Sequence, residues 1–131
     1  MPIHLLITDD HPLIRQGLQL VLSNDPDIRV VGEATHGQQV IKLLDVLDIH
    51  VVLMDIRMPG WDGIRTTDHI TRHFPLVKVL GFSLHEYPGY AQQMLSAGAL
   101  GCLPKTVSGT VLREAIRTVA RGEKFVYNGR W

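Results

Sequence analysis

Five positions in this sequence carry side chains able to do chemistry, and each lies at the end of an apolar run. Asp9 and Asp10 follow residues 3–8, and Asp55 follows Val51, Val52, Leu53 and Met54. Ser83 closes residues 77–82, and Lys105 stands one proline beyond residues 99–103. A single Asp after a strand most simply caps the next helix. Three gathered acids do more than cap, because two like charges about 4 Å apart cost about 4 kcal/mol at an effective dielectric near 20. One ammonium, Lys105, leaves the set short of positive charge. A divalent cation removes the deficit. All-oxygen ligands suit Mg²⁺, which keeps several waters and takes one or two carboxylates plus a phosphate.

Such a gathering requires a fold that brings distant strand ends to one edge. The sequence predicts strands over residues 3–8, 28–34, 49–54, 77–82 and 99–103, as short apolar runs bounded by turn residues. Between them lie helical patterns. Leu13, Ile14, Leu18, Val21 and Leu22 recur every three to four residues, as do Val40, Ile41, Leu44 and Leu47. Asp62 reads as the N-cap of a helix ended by Pro75, Gly98 as the stop of a short helix over 91–97, and Gly122 as the stop of a last helix marked by Leu112, Ala115, Ile116 and Val119. Alternating strands and helices indicate an α/β class: a doubly wound, five-stranded parallel sheet covered on both faces. In the flavodoxin-like order 2-1-3-4-5 the ligand crevice opens between strands 1 and 3, at their carboxyl ends. Those ends carry Asp9, Asp10 and Asp55.

Composition narrows the class further. With 131 residues the chain is one domain, and 13 basic against 13 acidic side chains give it no net charge, so bulk electrostatics does not draw it to nucleic acid. The single cysteine, Cys102, excludes an internal disulfide and fits a reducing compartment. No apolar run approaches a membrane span of roughly 20 residues, and the expected location is cytoplasmic. His4, His11, His36, His50, His69 and His73 show no metal-ligand spacing and are read as structural or surface residues.

The strings ITDDHPLIRQGL, VVLMDIRMPGWDGI, VLGFS and AGALGCLPK carry these residues, and over residues 3 to about 122 the chain resembles the receiver domain of bacterial two-component response regulators, in particular the NarL/FixJ (LuxR-type) branch. The resemblance implies that Asp55 is the phosphoacceptor for a sensor histidine kinase. It implies that Asp10 ligates Mg²⁺ directly, that Asp9 acts largely through water, and that the backbone carbonyl of Arg57 is a further ligand. Ser83 resembles the switch hydroxyl, and Lys105 the residue that pairs with the phosphoryl group. It implies a receiver over residues 1–122, with 123–131 starting the linker to a C-terminal helix-turn-helix domain absent from this chain. DNA would be met only through that domain. A homodimer through helices 1, 4 or 5, and no membrane partner, complete the expectation. The only catalysis expected is self-directed phosphotransfer and dephosphorylation.

The sequence departs from the pattern at Cys102, where the family usually has an aromatic three residues before the lysine, and at Pro104, which precedes Lys105. Cys102 is expected to be a small buried hydrophobe that stays nearly still on activation, while the segment from the fourth strand to the fourth helix moves. His85 and Glu86 stand where they could order water for dephosphorylation, with a solvated loop as the plainer reading. Trp61, Tyr87 and Tyr90 fit either a partner surface or core packing. Two other classes compete: a phosphorylation-independent interaction or dimerisation module, and an Asp-nucleophile phosphatase. The latter usually carries a second acid where this chain has Arg57.

Overall fold

The apolar runs are near-continuous because four of the five strands are buried on both faces, the strand over residues 28–34 alone being partly exposed among the described residues. In a computed structural model, which describes residues 2–84 and 89–129, the elements run β1 (Ile3–Thr8), α1 (Pro12–Leu22), β2 (Ile28–Ala34), α2 (Gly37–Val46), β3 (Val51–Asp55), α3 (Gly63–His73), β4 (Lys78–Ser83), α4 (Tyr90–Ala97), β5 (Gly101–Pro104) and α5 (Gly109–Ala120). The five strands form one sheet in the order β2-β1-β3-β4-β5 with every pair parallel. The expected class and strand order are those observed.

Alternation along the strands divides the core in two. Leu5, Ile7, Val51 and Leu53 point to one face and pack with Leu18 and Leu22 of α1 and Leu112, Ile116 and Val119 of α5. Leu6, Val52 and Met54 point to the other, against Val40 and Leu44 of α2, Ile70 of α3 and Met94 of α4. Each such side chain taken fully out of water contributes roughly 1.5–3 kcal/mol. The sheet is therefore the rigid layer, and its carboxyl edge is the rigid platform.

Boundaries shift where the side chains signal burial rather than pairing. Residue 49 was the expected start of β3, but pairing begins at Val51; Ile49 is buried in the second core without joining the ladder. β5 runs to Pro104, which pairs with Ser83. Proline is tolerated there because β5 lies at the edge of the sheet. α5 starts at Gly109, with the Ser108 side chain accepting from the Val111 N–H; Gly109 and Thr110 gave no apolar signal. Asp62 caps α3 as expected, accepting from the Arg65 N–H at 2.8 Å. Gly98 ends α4 at φ +116°, a conformation that favours glycine. At Gly63 the reason for glycine is space, since a Cβ there would stand 2.3 Å from the Asp55 carbonyl oxygen.

Residues beyond α5 do not leave the sheet at once. Phe125 donates its backbone N–H to the Leu100 carbonyl at 2.9 Å, and Phe125 and Tyr127 pack against the first core. Among the described residues, no helix is long and apolar enough to cross a membrane.

Candidate phosphoacceptor and cation site

Thr8 is the last residue of β1, and the two acids after it meet opposite environments. Asp9 is fully buried, whereas Asp10 is exposed. Asp9 is held by its backbone N–H donating to Ala34 at 3.0 Å and by Arg15 of α1, whose Nη1 donates to the Asp9 carbonyl at 2.8 Å. Its carboxylate is engaged on both oxygens. The Lys105 ammonium pairs with Oδ2, while Oδ1 accepts the backbone N–H of His11 at 2.9 Å and the His11 Nδ1–H at 2.8 Å. A buried charge is tolerable only when paired in this way.

Asp55 closes β3 and is 4% exposed. Its backbone N–H donates to the Thr8 hydroxyl at 2.9 Å, and that hydroxyl donates on to the Leu53 carbonyl at 3.0 Å. Lys105 Nζ lies 3.3 Å from Asp55 Oδ2. That is an ion-pair distance without hydrogen-bond geometry, and Oδ2 has no hydrogen-bond partner among the described residues. Burial pushes the Asp55 carboxyl up from 3.8 to about 6, with Asp9 raising it further while Lys105 and the Arg57 backbone N–H pull it down. The group is still mostly ionised at neutral pH, but it titrates well above an ordinary aspartate.

Lys105 is positioned by β5. Its backbone N–H donates to the Ser83 carbonyl at 2.8 Å, which extends the β4–β5 ladder and aims a nearly fully buried side chain between Asp9 and Asp55. Ser83 ends β4 and is buried. A pocket of about 300 Å³ is lined by Asp10, His11, Asp55, Arg57, Ser83 and Lys105. The structure thus brings together Asp10, Asp55, Arg57, Ser83 and Lys105 in one opening, with Asp9 directly beneath.

The donor set suits a hard divalent cation. Asp9, Asp10, His11 and Asp55 offer ligand atoms within 4.8 Å of one another. With Asp9 already engaged, the carboxylates of Asp10 and Asp55 remain to line the pocket. Two carboxylates with space for water match what Mg²⁺ accepts.

Two side chains at the site escaped the sequence reading. Thr8 looked like an ordinary strand residue, and only its place beside β3 makes its hydroxyl the clasp on Asp55. His11 was read as structural or surface, yet its Nδ1 lies 2.8 Å from Asp9 Oδ1 and 3.2 Å from Asp10 Oδ1. These carboxylates raise the His11 pKa above 6.5, the hydrogen bond to Asp9 most. A histidine directly after paired acids was the available signal.

The scattered histidines also gain a neighbourhood. At the opposite edge of the sheet, His4 and His50 stack with ring centroids 4.7 Å apart, beside Asp48. The His4 backbone N–H donates to His50 Nδ1 at 2.9 Å, and His4 Nδ1–H donates to the Asp48 carbonyl at 2.8 Å. A metal on His50 Nε2 would require a proton on Nδ1, facing the His4 N–H donor. The hydrogen bonding therefore supports a structural role.

Cys102 is buried, its thiol pushed up to about 12 by burial, as a structural cysteine should be. Trp61 is half-buried, with the Arg65 guanidinium 4.1 Å from its ring centroid and His69 edge-on, so it is engaged by its own α3. Tyr90 is half-buried against the second core. His85, Glu86 and Tyr87 lie outside the described residues.

A doubly wound sheet with a buried lysine between two acids at its carboxyl edge defines a receiver-type domain. The response regulator receiver domain model matches residues 5–117, and the chain belongs to that family. It is 36% identical over 122 residues to the nitrate/nitrite response regulator protein NarL of Escherichia coli, covering 93% of this chain and 56% of that protein. The non-phosphorylated receiver domain of RcsB from Escherichia coli superposes with a TM-score of 0.88 at 30% identity, covering 98% of this chain and all of that one. A structure of two RcsB dimers bound to two parallel DNAs gives 0.89 at 30% identity, over 98% of this chain and 65% of that chain. The chain spans about half the length of the curated relatives it matches. It is a receiver domain of the NarL/FixJ branch, a signalling domain of response regulators.

Proposed function

We propose that Asp55 is the phosphoacceptor of this receiver and that it takes a phosphoryl group from the phosphohistidine of a sensor kinase. The observation that carries the reading is the Asp55 Oδ2 atom, buried, without a hydrogen-bond partner among the described residues, and 3.3 Å from a buried ammonium. A carboxylate already ionised needs no general base. A carboxylate oxygen of Asp55 attacks phosphorus in line, the P–O bond forms as the P–N bond breaks, and the electron pair leaves with the imidazole, which takes its proton from water. Positioning and charge neutralisation do most of the work in such transfers. Lys105 neutralises one phosphoryl oxygen, and the Ser83 hydroxyl donates to another. Asp10, Asp55 and the Arg57 carbonyl would hold Mg²⁺, with Asp9 acting through water. When bound, the ion neutralises charge on the phosphoryl oxygens.

The product is a mixed anhydride, open to hydrolysis, so the same pocket resets itself. Moving a two-state equilibrium from 1:99 to 99:1 takes about 5.5 kcal/mol. Two charge-assisted hydrogen bonds, from Ser83 and Lys105, supply about 1.5–3 kcal/mol each. The switch is closely balanced. We read residues 1–122 as the receiver and 123–131 as the start of a connection to a C-terminal helix-turn-helix domain, through which a homodimer would meet DNA in the cytoplasm. The greater length of the relatives and the DNA-bound RcsB dimers support that reading.

Incubation with Mg²⁺ and acetyl phosphate, followed by intact mass, tests it. One added phosphoryl group that disappears in Asp55→Asn is expected. No addition would instead favour an interaction module, and turnover of many equivalents a phosphatase.

A further inference from the structure

We propose that His11 sets which divalent cation the pocket prefers, by placing an imidazole nitrogen among its carboxylate oxygens. The inference rests on this pocket being the receiver's cation site. His11 precedes the first residue of α1 in an extended conformation, and its side chain caps nothing. The ring turns into the pocket instead, with Nδ1 at 2.8 Å from Asp9 Oδ1 and 3.2 Å from Asp10 Oδ1. Neighbouring ligands of an octahedral ion with bonds of about 2.1 Å stand about 3.0 Å apart. The nitrogen thus already stands at neighbouring-ligand spacing from one oxygen of each acid. The Asp55 carboxylate belongs to the same cluster, and its buried Oδ2 has no hydrogen-bond partner among the described residues, so the ring joins a group with an oxygen not yet held by a hydrogen bond.

An imidazole nitrogen and a hard oxygen set pull in different directions. Mg²⁺ favours oxygen and sheds water reluctantly, whereas Co²⁺ and Zn²⁺ gain from imidazole. Toward Mg²⁺ the ring is a competitor, since its Nδ1–H is held on Asp9 Oδ1 and the nitrogen stands 3.2 Å from Asp10 Oδ1, the carboxylate that would take the ion. Toward Co²⁺ or Zn²⁺ it is a ligand, exchanging its Nδ1–H hydrogen bond to Asp9 for a coordinate bond while the proton passes to water. His11 therefore tilts the pocket from magnesium toward transition-metal ions.

The test is calorimetric titration with Mg²⁺ and with Co²⁺, with the Co²⁺ visible spectrum as a second readout. A His50→Ala background removes the other His–Asp cluster. His11→Ala is expected to weaken Co²⁺ binding by about tenfold or more and to change its spectrum, while Mg²⁺ binding holds or tightens. His11→Gln, which keeps a hydrogen-bond donor without the ring, should behave like His11→Ala. Equal losses for both ions, or rescue by Gln, would make His11 a mere positioner of the acids and overturn the proposal, as would no change at all. Failure of the underlying reading shows elsewhere, as unchanged binding of both ions in Asp55→Asn.

Discussion

The hydroxyl of Thr8 fixes the backbone of Asp55: it accepts the Asp55 N–H at 2.9 Å and donates to the Leu53 carbonyl at 3.0 Å. A side chain thereby closes the β1–β3 ladder at the residue where position matters most. Thr8→Val keeps the shape but strands a buried N–H, which costs about 1–3 kcal/mol. We expect the unfolding free energy to fall by that much, read as a lower urea midpoint at constant m-value, with Thr8→Ser close to the parent. Equal midpoints for Val and Ser would remove the hydroxyl from the account.

Asp55 gives stability a pH dependence of unusual sign for a carboxylate. Its folded pKa, about 6, is raised from 3.8 chiefly by burial. Its stabilising contribution is full below the unfolded value, where both states hold the proton. As pH rises from about 4 to about 6 the unfolded chain ionises first, so that contribution is lost across this window. At neutral pH the ionised group costs on the order of 3 kcal/mol. Asp55→Asn should recover much of this, and the difference between variant and parent stability should shrink below pH 4. Phosphorylation by acetyl phosphate should fall as pH drops through about 6. A flat stability difference from pH 4 to 7 would contradict the assignment.

Lys105 is the cation that lets two buried carboxylates coexist. Replacing it with Met leaves Asp9 and Asp55 facing each other with no ammonium between them. Breaking a buried pair in this way costs about 3–5 kcal/mol. In a mutant cycle we expect Lys105→Met to be much less damaging in a background that carries both Asp9→Asn and Asp55→Asn, since the lysine pairs with both acids. Additive losses would show that the lysine acts through its packing alone.

Cys102 should be silent in the folded protein. Its thiol is buried and pushed up to about 12, and a Cβ on neighbouring Gly81 would stand 3.0 Å from its sulfur. Thiol reagents should therefore label it only at the rate of unfolding, and labelling should accelerate with denaturant. Rapid labelling under native conditions would reopen a redox role.

How far the sequence could be read follows from the kind of signal each residue gives. Asp55, Ser83 and Lys105 stand at the ends of apolar runs, so strand pattern and connection order alone place them on one edge. Thr8 and His11 depend on neighbours that strand pattern does not specify: the hydroxyl matters only because β3 lies beside β1, and the ring only because it turns back on Asp9. His4 and His50 are far apart in the chain and meet because β1 and β3 are parallel neighbours. The end of β5 at Pro104 escaped because proline seldom signals a strand, although an edge position permits it.

Phe125, stitched to Leu100, has a mechanical consequence. The polypeptide departs alongside β5, whose far end bears Lys105, so one short strand holds the ammonium at one tip and the exit at the other. An appended domain would swing from a pivot near residue 128 rather than from Gly122, with the few residues between acting as a stiff spoke. Cutting that spoke would bare apolar surface and free the hinge together.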